Sequence, residues 1–335
     1  MKKNQLFLLL LAGIFAATLI LGGCAKKEAL AAGEQTIDKI RLGVMAGATL
    51  VADVGVADGI FKKHGLDVEI TTFAAGINTI DAITIGQLDI GLAADFAILN
   101  RIGGTPNSPL RIFTGNASIL NNSQLFSQDP SVKTPADLAG KSVLVHLGTV
   151  GEYYWAQTWT GVGVPESRIK YLPVDSPLEA VAVLQTGAAQ GYYANGKTAE
   201  EVKKIEGIHV VGELHDYVPS TVGILIASEQ FLREHQRAVE KYLKALDELY
   251  GIVAKDPQRA AEISYKTSGV PVEIGLQTLK TQTLAVDVNQ DTFDALKAMY
   301  QWLEGKGLIK YPYDLYKTVD TTALKAAFPD RAVYK

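Results

Sequence analysis

Residues 146–159 read HLGTVGEYYWAQTW and hold most of the chain's recognisable chemistry. A glycine and a hydroxyl, Gly148 and Thr149, precede an acid, Glu152, and three adjacent aromatics, Tyr153, Tyr154 and Trp155. Free amides at a helix start accept anions, and aromatic rings stack on flat or apolar bodies. That is the chemistry of holding a molecule. The residues for transforming one are missing. The five histidines, His64, His146, His209, His215 and His235, show neither metal-ligand spacing nor a Ser-His-acid arrangement. The one cysteine, Cys24, leaves no disulfide, thiolate metal site or cysteine nucleophile downstream. A non-enzyme without metal or cofactor is expected.

Within the stretch, roles divide by position. Thr149-Val150-Gly151-Glu152 reads as a capping box, which makes Glu152 chiefly a helix cap. Tyr153 and Tyr154 point about 100° apart around a helix, so only one can face a given direction. Trp155 and Trp159 share a face at i, i+4 spacing and are expected to pack. Tyr153 is the aromatic expected to reach a ligand. Either Tyr192 or Tyr193 could join it from a neighbouring strand end, with Tyr193 the candidate. The alternative for these tyrosines is the edge of a core.

The elements that must position these residues alternate. IRLGV (40–44), LDVEITTF (66–73) and DIGLA (89–93) read as strands, separated by a helix running to Phe61 and another over 76–85. That grammar returns 101 positions later: Val145, Gly148 and Gly187 match Val44, Gly47 and Gly86. Two α/β halves follow, by duplication or because such units resemble one another. Residues 112–126 and 218–228 read as strands leaving and re-entering the first half, and the rest is largely amphipathic helix. The expected fold is α/β and two-lobed, with two crossover strands and C-terminal helices returning to lobe one. Lobe one spans 37–118, lobe two 119–221, and the return segment 222–335.

In open α/β sheets ligands lie beyond the carboxyl ends of the strands. The candidates there are Gly47, Ala48, Thr49, Gly76, Asn78 and Asp95 in lobe one. Lobe two contributes Gly148, Thr149, Tyr153, Asp175, Tyr193 and Asn195. The loops named contain no Lys or Arg, which argues against a small hard anion such as nitrate. Asp95 either caps the helix FAILNRI or faces the cleft, where an amine, a hydroxyl or a pyrimidine amino group would suit it.

The formal net charge of −4 is small, and no basic run suggests nucleic acid. At the other end of the chain, Lys2 and Lys3 precede an apolar run from Leu6 to Leu21 that stops at Leu21-Gly22-Gly23-Cys24. This is the layout of a signal peptide over 1–23. Leu-Gly-Gly-Cys resembles a bacterial lipobox, whose cysteine is lipidated and heads the mature protein. Residues 24–36, small and charged, then read as a tether between lipid and fold.

Three segments carry a wider resemblance: VADGIFKKHGLDVEI (56–70), AITIGQLDIGLA (82–93) and TPADLAGKSVLVHLGT (134–149). From about Lys39 to Ala254 the chain resembles the ABC-importer substrate-binding proteins that capture sulfonates, taurine, nitrate or thiamine pyrimidine precursors. Two departures stand out. Gln190-Gly191 replaces the usual Asp-Ala pair, and Gly148-Thr149-Val150 replaces Gly-Ser-Thr. The resemblance implies a type II periplasmic-binding-protein fold whose lobes close on a small molecule. It implies delivery of a sulfonate-like, taurine-like or heteroaromatic ligand to an ABC permease with its ATPase. A monomer is expected, lipid-anchored on the extracytoplasmic face of the membrane (the periplasmic side in a Gram-negative cell). A thiamine pyrimidine-precursor binder and a solute sensor are the alternatives. Pyrimidine-synthesis enzymes share this fold but rely on cysteine-rich motifs absent here.

Overall fold

Apolar residues alternate along β1 (Asp38–Met45), and Ile40, Leu42 and Val44 are buried on one face of a sheet. The computed structural model describes residues 37–335 apart from 47, 74, 75, 148 and 219. The expected leader (1–23), the tether with Cys24, and two ligand candidates, Gly47 and Gly148, lie outside the described residues.

After β1 come α1 (Leu50–Ala57) and α2 (Ile60–Lys63). One helix through Phe61 was the expectation. The chain instead breaks at Gly59, whose φ of 67° is left-handed and suits a residue without Cβ. β2 (Leu66–Phe73) pairs parallel with β1 along its length, and α3 (Gly76–Thr84), β3 (Ile90–Ala94) and α4 (Asp95–Gly104) complete the first half. β4 (Leu110–Leu120) leaves it.

The second half repeats the plan with β5 (Gln124–Ser127), β6 (Ser142–Val145), α5 (Val150–Val162), β7 (Lys170–Pro173), α6 (Pro177–Gln185), β8 (Tyr192–Ala194), α7 (Gly196–Val202) and β9 (His209–Glu213). Gly86 after α3 and Gly187 after α6, the pair 101 residues apart, both take left-handed φ values, 75° and 73°. β10 (Ser220–Ser228) returns to lobe one. α8 (Glu229–Glu234), α9 (Gln236–Lys255), α10 (Pro257–Ser268), α11 (Val272–Lys280), β11 (Gln282–Leu284) and α12 (Gln290–Gly305) follow.

Lobe one is a six-stranded sheet in the order β11-β4-β10-β3-β1-β2. In lobe two β5 pairs between β8 and β9, β6 pairs parallel with β7, and a parallel bridge Val143↔Gly191 joins the two sets. The lobe-one core is one continuous, largely aliphatic cluster, which α9 covers with Val239, Leu243, Leu246 and Leu249. Lobe two divides its core between two smaller clusters.

Candidate functional site

Strand pairing fixes where the ligand loops lie. β10 runs antiparallel to β3 with Gly223 opposite Ala94, so the carboxyl end of β3 and the entry of the return strand share one end of the sheet. β10 and β4 pair from Ser220↔Leu120, so β4 exits at that same end. In lobe two Gln124 pairs with Ala194, bringing the carboxyl end of β8 to the end where β5 enters. Both sets of strand ends therefore converge on the two crossover segments.

Several lobe-one candidates have their side chains engaged elsewhere. Thr49 precedes α1 with 2% of its surface exposed, its hydroxyl 3.4 Å from Ser264 Oγ. Ser264 in turn donates to the buried Asp53, as does Ser268, at 2.7 and 2.8 Å. This network ties the β1–α1 loop to α10 and leaves Thr49 only its backbone for a ligand. Gly76 is a packing glycine, since a Cβ there would stand 2.9 Å from Ala93 Cβ. Ala48 is half-buried and Asn78 is exposed.

Asp95 corrects one expectation. It is the first residue of α4, and the cap position belongs to Ala94. Its Oδ1 accepts from the Phe96 amide at 2.7 Å and its Oδ2 from the Val222 amide of β10 at 3.3 Å. The carboxylate is 3% exposed, and burial raises its pKa to about 6 against the pull of the two amides.

In lobe two the capping box also needs correction. The Thr149 hydroxyl accepts from the Gly151 amide at 3.1 Å and donates to His146 O at 2.7 Å, so it does not reach the third amide of α5. The full reciprocal box stands elsewhere, between Thr134 and Asp137. Trp155 and Trp159 pack as expected, stacked at 4.9 Å, with Nε1 donating to Leu144 O and Tyr171 Oη respectively. The Tyr193 ring lies 4.7 Å from Trp155 and its hydroxyl 2.9 Å from Thr158 Oγ1. Tyr193 thus belongs to the core edge of lobe two. Tyr192 is 5% exposed, its hydroxyl 3.4 Å from His146 Nε2. Thr149, Asp175 and Asn195 are exposed at their strand ends. Lys197, two residues past Asn195 in the first turn of α7, is the basic residue nearest these ends in sequence.

Tyr153 meets lobe one. Its ring contacts Trp302 of α12 edge-on at 5.3 Å, and Trp302 also faces Phe96 at 6.4 Å. Lys306 lies over Trp302 at 5.8 Å and pairs with Glu166 of lobe two at 2.7 Å. Tyr154 donates to Asn121 Oδ1 at 3.4 Å, and Asn121 Nδ2 donates to Val218 O at 2.8 Å, linking the two crossover segments. Burial, and to a lesser degree the Asp95 charge, raises the pKa of both Tyr153 and Tyr154. Asn121, Trp302 and Lys306 are not among the residues expected from sequence. Only the polar patch of 112–126 and the amphipathic C-terminal helices signalled them. Among the described residues no group of three His, Cys, Asp or Glu could hold a metal ion.

Fold and site together define a two-lobed α/β protein of the periplasmic-binding-protein type, with opposed strand ends at a double crossover. A family profile described as NMT1/THI5 like matches residues 51–260, and the chain belongs to that family. A Brucella abortus protein carrying a provisional binding-protein name is 23% identical over 233 residues, 68% of this chain and 70% of that one. The periplasmic aliphatic sulphonate binding protein SsuA from Escherichia coli has a similar fold, with TM-score 0.71 and 16% identity over 84% of this chain and 97% of its own. The desulfurization enzyme DszB is similar at TM-score 0.62 and 16% identity, over 87% and 99%.

Proposed function

We propose that the chain is the solute-binding component of an ABC importer, capturing one small organic molecule between its lobes and passing it to a permease. The reading rests above all on the convergence of both lobes' strand ends at one double crossover, the geometry a closing cleft needs. Family membership, the sulphonate-binding neighbour and the Brucella relative support it. The protein acts outside the cytoplasm, held by lipid on Cys24, with lobes divided at 37–118, 119–221 and 222–335. The ligand is a sulfonate, a taurine-like zwitterion or a heteroaromatic. Ala48, Asn78, Thr149, Asp175 and Asn195 offer it backbone and polar contacts, with Asp95 and Tyr153 beside them.

A thermal-shift screen over taurine, alkyl and aryl sulfonates, nitrate, bicarbonate and thiamine pyrimidines tests this. A true ligand at 100 times its Kd stabilises the protein by about 2.7 kcal/mol. A shift with nitrate alone would overturn the ligand class, and no shift with any small solute would overturn capture. The DszB likeness favours a second reading, an enzyme on the same fold. Quantitative recovery of the unchanged ligand after long incubation would dismiss it.

A further inference from the structure

Beside the ligand loops of lobe one lies a cavity of about 100 Å³ with a largely apolar lining. It is lined by the sheet face carrying Ala94, Gly223 and Ala117 together with α1, α9 and α11, and Ala48 of the β1–α1 loop joins the lining. The pairing explains the void. Gly223 stands opposite Ala94 on one side and opposite Ala117 on the other, so three adjacent strands present nothing larger than a methyl at one register.

Gly223 in particular has no structural need to be glycine. A Cβ built on it meets its nearest neighbour, Ala117 O, at 3.6 Å, which is ordinary contact, and its φ is not left-handed. By contrast, a Cβ on Gly43, Gly55 or Gly91 would meet an atom within 3.0 Å. A strand-interior glycine is destabilising relative to alanine, and such glycines mark bulges or close approach by a ligand. The bulge here is on the partner strand. Between Gly223 and Ile224 the register slips so that Asn116 of β4 is the extra residue, and Asn116 also lines the cavity, its amide oxygen held by the Tyr250 hydroxyl. Bulges recur beside binding sites, where they re-aim a side chain.

We propose that this cavity is an apolar subsite of the cleft, taking a small alkyl or aryl group of the captured molecule while the polar strand ends hold its head. The inference rests on the capture reading above and adds to it a ligand with an apolar tail. About 100 Å³ is roughly three waters' worth of space, the bulk of a propyl or butyl group. A largely apolar void of this size gains free energy when an apolar group fills it.

Two probes on the full chain, compared with Ala117→Leu, separate the possibilities. Xenon needs no head group, and in pressurised crystals it should occupy the cavity of the native protein but not that of the variant. An empty native cavity overturns the proposal. Ethane-, propane- and butanesulfonate should bind the native protein with affinity rising about fourfold per methylene, the value of one buried CH2. In Ala117→Leu the rise should vanish while ethanesulfonate binds equally. An equal rise in both proteins, or none in the native one, overturns the tail assignment. If no sulfonate binds while xenon fills the native cavity alone, the head-group assignment fails and the apolar subsite stands. Gly223→Ala, which meets no clash at its first carbon, should weaken the chain-length effect in the same direction and guards against misfolding of the larger variant.

Discussion

The two lobes share a strand plan and differ in how they are filled. Each has parallel strands flanked by an antiparallel one: β10 beside β3, β1 and β2 in lobe one, and β5 beside β8, β6 and β7 in lobe two. Lobe one has one continuous and largely aliphatic core, with Phe61, Phe113, Tyr242 and Phe293 set within it, and the C-terminal helices thicken it. Lobe two, with smaller clusters, relies on aromatics fixed by hydrogen bonds: Trp155 to Leu144 O, Trp159 to Tyr171, Tyr193 to Thr158. A ring with a bonded polar atom is held in one orientation, whereas the lobe-one core leaves a cavity beside Gly223. The comparison teaches a division of labour. Lobe two presents a fixed wall, and lobe one supplies the adjustable space.

The largest test of that division is Trp155→Ala. Trp155 is 2% exposed and stacked on Trp159, and its loss should cost about 3–5 kcal/mol. Urea melts should show lobe two failing first, and an unchanged midpoint would remove its claim to be the rigid half.

Next comes Asp95, where the lobe-one floor meets β10. Its folded pKa is about 6, above the ordinary carboxylate value of about 3.9. The folded state therefore holds the proton more tightly than the unfolded chain does. Stability is greatest below pH 4 as far as this group is concerned, and about 3 kcal/mol is lost as pH rises to about 6. Asp95→Asn should flatten that slope in melts taken from pH 4 to 7, and a slope retained in the variant would assign it to other groups.

The smallest effect belongs to the contact between the lobes. Tyr153→Ala removes an edge-on ring pair worth about 0.5–1.5 kcal/mol. A double-mutant cycle with Trp302→Ala should show coupling of that size, and small-angle scattering should report a more open unliganded protein. A loss several times larger would make Tyr153 a core residue of lobe two.

Much of this plan was legible in the sequence because local rules dictate it. Alternating apolar residues placed β1 and β2, i, i+4 spacing placed Trp155 and Trp159 on a packing face, and the offset of 101 marked two equivalent left-handed glycines. The helix expected to run through Phe61 was divided because left-handed Gly59 outweighed the propensity around it. Asp95 was legible as a residue but not as a junction, since its second amide belongs to Val222, 127 positions away. Thr49 gave no hint of Ser264, 215 positions on. Trp302 likewise reaches Tyr153 only because the chain returns to lobe one. Contacts between distant segments are set by the folded topology, and no short window contains them.

The two crossings also have a mechanical consequence. β4 and β10 leave lobe one as neighbours, and just beyond them Asn121 binds Val218 across the gap. Two strands stapled side by side resist twisting about their length but bend together across it. Under the capture reading proposed above, the lobes would then move about one soft axis, and the size of a guest would be expressed as an angle of opening. A permease that senses that single angle could distinguish a loaded protein from an empty one without touching the guest.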